Sequence, residues 1–243
     1  METNSLQTQQ QVQKLPQPTH WWALFQFSIG AIVFWLLEFA AQYHWLQRGD
    51  LANSLVVSFA FTGATLIGLA LFSSAIFKWY PRTAQYWRFR RYLGVSGFVF
   101  VLLHSQTALY YLFGYDLAAA YPVLNPFENP IVFGSFALFI LLIMASTSTD
   151  WAMQKLTPRV WKFIHRFVYI AYPSAVFHFL IIDPEGIKTP PGYLLLLVTA
   201  AALFGQLFWF FKISAKRKFK SLGFLIGIII ILAVLISGYI AWF

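Results

Sequence analysis

The chain has 243 residues, of which 59% are hydrophobic and only 10% charged, and its mean hydropathy is +0.65. Soluble domains carry roughly a quarter charged residues, so this composition excludes a water-solvated globule and points to a protein solvated by lipid. The lack of cysteine excludes disulfides, thiolate metal centres and iron–sulfur clusters, and the placement of the charges behind the net +9 reads as membrane topology rather than nucleic-acid affinity.

Residues 1–19 are rich in glutamine, with Pro16 and Pro18 and few large apolar groups, which predicts a disordered tail. Only Lys14 is basic there, and no short apolar stretch runs into a small-residue cleavage site, so a cleaved signal peptide is not expected. Residues 20–243 read as one transmembrane helical domain, without an internal repeat or a shift of composition.

Crossing a hydrocarbon core of ~30 Å takes about 20 apolar residues. Seven stretches qualify: Trp21–Tyr43, Leu51–Phe77, Tyr92–Phe113, Ile131–Ser148, Phe163–Ile182, Tyr193–Phe211 and Leu222–Phe243. Backbone amides cannot stay unpaired in lipid, and the alternation of barrel strands is missing, so an all-α, polytopic membrane bundle is expected.

Orientation follows from the basic residues of short loops. Lys14 lies in the tail. Lys78, Arg82, Arg88, Arg90 and Arg91, then Lys155, Arg159, Lys162 and Arg166, then Lys212, Lys216, Arg217, Lys218 and Lys220 fill the second, fourth and sixth loops. Arg48 and Lys188 alone fall on the other side, among Asp50, Asp116, Glu128, Asp183 and Glu185. The expected topology is a cytoplasmic N-terminus and an outside C-terminus in the cell (inner) membrane, with the third and fifth spans both running outward. Trp21, Trp22, Trp79, Trp87, Trp161, Trp209 and Trp242 near the span ends read as an interfacial aromatic belt.

Of the five histidines, His20 and His44 flank the first span and fit headgroup depth without further role. His104, His165 and His178 lie within spans three and five, where ionisable groups need a partner or a ligand. Counted from Arg91 and from Arg166, His104 and His178 reach ~20 Å and ~18 Å of helical rise, a common depth on parallel helices. Two neutral imidazoles facing across a gap suit the two axial positions of a heme iron, placed in the outer half of the membrane. The lack of cysteine means non-covalent, b-type heme.

His165 sits near the basic surface beside Arg166, where the third span offers Arg90 and Arg91 instead of a second histidine. It is a candidate ligand of a second, inner heme, or a contact for a propionate, a flavin phosphate such as that of FMN, or a quinone. At 100° per residue His165 and His178 stand about 140° apart on an ideal helix, and Pro173 between them permits a kink.

The run Arg90-Arg91-Tyr92-Leu93-Gly94 followed by Phe98 to His104 resembles the RR-x-LG…H segment of the ferric-reductase-like transmembrane domain. Ser146-Thr147-Ser148-Thr149 and Trp161-Lys162-Phe163-Ile164-His165-Arg166-Phe167-Val168-Tyr169, then His178, are similar to the TS…W-x-x-LHR-x-x-Y…H pattern of heme-binding membrane subunits in bacterial periplasmic methionine sulfoxide reductase systems. Ile164 departs from the Leu of that triplet, and seven spans exceed the family's six-helix core by a single helix, at the N- or the C-terminal side.

The resemblance implies a heme b electron carrier, an oxidoreductase component with His104, His178 and His165 as candidate iron ligands and Arg90, Arg91 and Arg166 as cofactor contacts. No G-x-G-x-x-G phosphate turn or nicotinamide domain follows the last span, so the resemblance implies a separate cytoplasmic flavin reductase or membrane quinol as donor. A periplasmic reductase, ferric iron or oxygen would be the acceptor. The competing reading is a cofactor-free transporter or scaffold with a proton path of histidines and Glu38, although Glu38 is near enough to the outer end that snorkelling to water is expected. A retinal protein is disfavoured because Leu222–Phe243 contains no Lys.

Overall fold

The computed structural model describes residues 20–216, so the tail and the seventh expected span, Leu222–Phe243, lie outside the described residues. Helix α1 (His20–Ala41) passes into a π-helical turn, Gln42–Leu46. There follow α2 (Leu51–Trp79), a 3-10 turn at Pro81–Tyr86, α3 (Trp87–Phe113), the short α4 (Leu117–Ala120), α5 (Ile131–Ser146), α6 (Asp150–Lys155), α7 (Pro158–Arg166), α8 (Val168–Ile182), a second 3-10 turn at Glu185–Lys188 and α9 (Pro190–Lys216). Five helical spans are long and apolar enough to cross a membrane, with α7 and α8 forming one of them, and α5 is a shorter sixth. The described chain is a multi-pass helical bundle. At 16 residues α5 rises only ~24 Å.

Side-chain chemistry sets the helix boundaries. Asp50 caps α2 by accepting from Asn53 N at 3.0 Å, Thr149 caps α6 from Ala152 N at 3.2 Å, and Thr157 caps α7 with Pro158 following it. Gly114, in the left-handed region at φ 56°, ends α3 by donating its N–H to Tyr110 O.

The hub of the bundle is α2. In its most apolar window 67% of residues are buried, against 17% in α1 and 22% in α3, whose remaining apolar side chains face outward. Its small residues let neighbours approach, as in other membrane bundles. Gly63 and Gly97 form a reciprocal crossing of α2 and α3: a Cβ on Gly63 would lie 3.0 Å from Gly97 O, and one on Gly97 would lie 2.9 Å from Gly63 O. Ile67, Leu71 and Phe98 beside this crossing join Ala137, Ile140, Leu141, Ala171 and Tyr172 in the main core. Trp35, stacked on Phe59 at 5.0 Å, closes a second core between α1, α2 and α3.

Polar groups inside the bundle are tied across helices. Gln206 on α9 accepts from Lys78 Nζ at 3.1 Å and from the Tyr169 hydroxyl at 3.2 Å, and donates to Leu71 O at 2.9 Å, so α2, α8 and α9 meet at one amide. Tyr172 packs against Gly68, with its hydroxyl 2.8 Å from Thr199 Oγ1.

Two local expectations change. Pro173 stays inside α8, and the helix is interrupted earlier, at Phe167. A proline ring crowds the carbonyl four residues before it, here Tyr169, and the preceding turn tightens to bonds such as Phe167 N to Ile164 O and Ile170 N to Phe167 O. The Trp161 ring stacks on His165 with centroids 3.9 Å apart, and its Nε1 donates to Thr147 O at 3.2 Å. Glu38 does not snorkel. It is 6% exposed because it lies on the face of α1 that packs against α2.

Candidate functional site

The pair expected at a common depth does meet: the rings of His104 on α3 and His178 on α8 have centroids 6.3 Å apart and planes at 68°. Backbone carbonyls hold each ring. His104 Nδ1 is 2.9 Å from Val56 O, and His178 Nδ1 is 2.8 Å from Pro130 O. A carbonyl only accepts, so both Nδ1 atoms carry the proton and both Nε2 atoms keep a lone pair, the tautomer a metal-ligating imidazole needs.

The fold explains these contacts. Seven residues, two helical turns, separate Gly97 from His104 and Val56 from Gly63, so the glycine crossing brings His104 level with the Val56 carbonyl on antiparallel helices. Pro130 stands at the start of α5, and its carbonyl, which accepts from Phe133 N at 3.0 Å, also meets His178 Nδ1 through its second lone pair. Gly134, one turn further, passes under the ring: an added Cβ would lie 3.1 Å from His178 Cε1 and Nδ1 and 3.2 Å from Cδ2. Sequence reasoning missed Gly134, although a glycine in a helix, where it costs ~1 kcal/mol relative to alanine, is a signal of close approach.

Separation and donor set together test what the pair can hold. A metal–imidazole bond of ~2.0 Å plus ~1.15 Å from nitrogen to ring centre puts two rings on opposite sides of one metal ~6.3 Å apart. The observed 6.3 Å matches this. Among the described residues no group of three or more His, Cys, Asp or Glu side chains could hold a metal ion. A site with two protein donors suits a metal whose remaining positions come from a macrocycle. Both residues are half-buried.

At the basic end, His165 lines a cavity of about 150 Å³ with Arg90, Arg91, Trp161, Ser148 and apolar residues that include Phe98, Leu141 and Val168. Both of its ring nitrogens are engaged, Nδ1 with Trp161 O and Nε2 with Ser148 Oγ, each at 3.1 Å. The Ser148 hydroxyl also lies 2.7 Å from Met144 O, so its single proton serves two acceptors. Arg91 pairs with Asp150 at 2.5 Å. Arg90 is half-buried at the wall, whereas Arg166, the last residue of α7, is exposed and does not line the cavity. The structure thus brings His165, Arg90 and Arg91 together, keeps His104 and His178 as a separate pair, and leaves Arg166 outside both groups. His44 is exposed and edge-on to Tyr43.

Curated relatives described as protein-methionine-sulfoxide reductase heme-binding subunit MsrQ, from Brucella ovis, Brucella canis and Brucella suis, are 37% identical over 95 residues. The match covers 38% of this chain and 41% of each relative, so the chain spans about two fifths of the length of the curated relatives it matches. A family model described as ferric reductase like transmembrane component matches residues 55–176, half of the chain, containing His104 and His165 and ending two residues before His178. The chain belongs to the ferric reductase like transmembrane component family.

Proposed function

We propose that the protein is a transmembrane electron carrier that holds one b-type heme between His104 and His178. The observation that carries this reading is the 6.3 Å pair with both Nδ1 atoms held by backbone carbonyls. Heme there supplies a one-electron couple. His104 and His178 would hold its iron, Val56 and Pro130 fix the tautomer and aim of the two rings, and the surrounding helices would exclude water. The name of the MsrQ relatives supports the same cofactor.

The cavity at His165 is the entry point for electrons in this reading. A space of about 150 Å³ accommodates a single aromatic ring, which fits a quinol headgroup or one end of a flavin such as FMN, with Arg90 facing its oxygens. Because both nitrogens of His165 are engaged, it acts here as a positioning group and not as a second iron ligand. The donor is a cytoplasmic flavin reductase or a membrane quinol. The acceptor beyond the acidic end is a periplasmic methionine sulfoxide reductase, ferric iron or oxygen, the first favoured by the name of the relatives.

The proposed topology keeps the tail 1–19 in the cytoplasm and residues 20–243 as the heme-binding domain of the inner membrane. Purified protein expressed with ample heme should show the Soret and α bands of low-spin, bis-imidazole heme, and a flat visible spectrum would refute the reading. Since the chain has no cysteine, Leu124→Cys in the 114–130 loop and Arg159→Cys in α7 report topology. A membrane-impermeant maleimide applied to intact spheroplasts should label the first and spare the second.

A further inference from the structure

Helix α1 carries two buried polar groups that the electron-transfer site does not use. Glu38 is 6% exposed and Gln42, one turn later, 1% exposed, and neither Glu38 Oε2 nor Gln42 Nε2 has a hydrogen-bond partner among the described residues. Unsatisfied groups of this kind are rare inside proteins and costly in lipid, where a satisfied or apolar side chain would be more stable. The α-helix gives way to a π-helical turn at Gln42, with Gln47 N bonded to Gln42 O five residues back, a distortion frequent at functional sites.

The register of α1 on α2 places these groups. Trp35 Nε1 donates to Ser58 Oγ at 3.2 Å, so on antiparallel helices Glu38 comes level with Leu55 and Val56. The Val56 carbonyl is the one that holds His104 Nδ1. Glu38 and His104 therefore flank the same turn of α2 from two sides, separated by about one helix diameter, ~10 Å. Across a low-dielectric bundle, charges at that separation act on each other with little screening by salt.

The charged groups nearest in chain on α1 and α2, and the two histidines, lie outside the bundle or are bonded. His44 within the π-helical turn and Arg48 beyond it are exposed. Asp50 on α2 is bound by Asn53 N and Nδ2, at 3.0 and 2.7 Å. His104 on α3 and His178 on α8 are held by carbonyls.

We propose that Glu38 is a proton-exchanging group coupled to the His104–His178 site: it takes up one proton when an electron arrives there and releases it when the electron leaves. This inference rests on the one-electron reading above. The electron comes from the flavin or quinol donor and goes to the acceptor. The proton forms an O–H bond on the Glu38 carboxylate, arrives from water at the acidic end past Gln42, and returns there. Electron arrival and proton arrival offset each other, so the buried site changes charge less than it would alone.

The test is the midpoint potential of the full-length, heme-loaded protein across the neutral pH range. In the parent, the ratio of reduced to oxidised protein at fixed potential should fall by up to ~tenfold per pH unit, equivalent to ~59 mV for one electron. Glu38→Gln should keep the low-spin spectrum and lose at least half of this slope, while Glu38→Asp, which retains a carboxyl, keeps most of it. A smaller loss in Glu38→Gln, or a parent with no slope, overturns the proposal. Should Glu38→Gln fail to fold, the infrared redox-difference spectrum of the parent decides: reduction should add the C=O band of a protonated carboxylic acid, and its absence overturns the proposal. A parent that takes up no heme removes the electron-transfer reading and this inference together, whereas heme binding with a pH-independent potential removes this inference alone.

Discussion

His104 and His165 both sit in membrane-spanning helices, and each has Nδ1 bonded to a backbone carbonyl, yet their surroundings differ in kind. The carbonyl that holds His104 comes from a different helix, Val56 on α2, and its ring faces a second imidazole. The carbonyl that holds His165 comes from its own helix, Trp161 one turn before, and its Nε2 is met by Ser148. The first arrangement leaves a lone pair directed by tertiary packing. The second uses up both nitrogens locally and leaves the ring as part of a cavity wall stacked on Trp161. A buried imidazole is thus not a ligand by virtue of depth alone, since what bonds its second nitrogen decides its use.

Removing one member of the pair is the most drastic way to break this contrast. His104→Ala or His178→Ala should weaken heme retention more than ~100-fold and abolish the low-spin absorbance, because among the described residues no other imidazole stands beside the pair. A preserved low-spin spectrum in either variant would move the heme elsewhere.

A milder change sharpens it. Gly134→Ala places a methyl 3.1 Å from the His178 ring, which must tilt, and heme affinity should fall ~10-fold with a shift of the low-spin electron paramagnetic resonance signal. A spectrum and affinity unchanged from the parent would show that the ring has room to spare.

The smallest effects belong to the basic end. His165→Ala should leave the low-spin spectrum intact while slowing reduction by quinol or flavin donor ~10-fold. Ser148→Ala, which removes one hydrogen bond of ~1 kcal/mol, should slow it ~5-fold. Loss of the heme spectrum in His165→Ala would instead make His165 a ligand and erase the distinction drawn here.

Composition and span length were sufficient to read a helical membrane bundle, since lipid leaves the backbone few choices and each span signals itself over some 20 residues. Helical rise counted from Arg91 and Arg166 also brought His104 and His178 to one depth, because axial position along a helix is linear in sequence. Rotation about the axis and the choice of neighbour are not linear in this way. The Gly63–Gly97 crossing, the carbonyls of Val56 and Pro130 behind the two rings, and Gly134 beneath His178 come from segments up to 48 positions away from the histidines they serve. Glu38 shows the same limit: its position in the sequence suggested an interfacial carboxyl, but which face of α1 meets α2 put it inside the bundle. Depth was written in the sequence, whereas the second partner of each polar side chain was decided only when the helices packed.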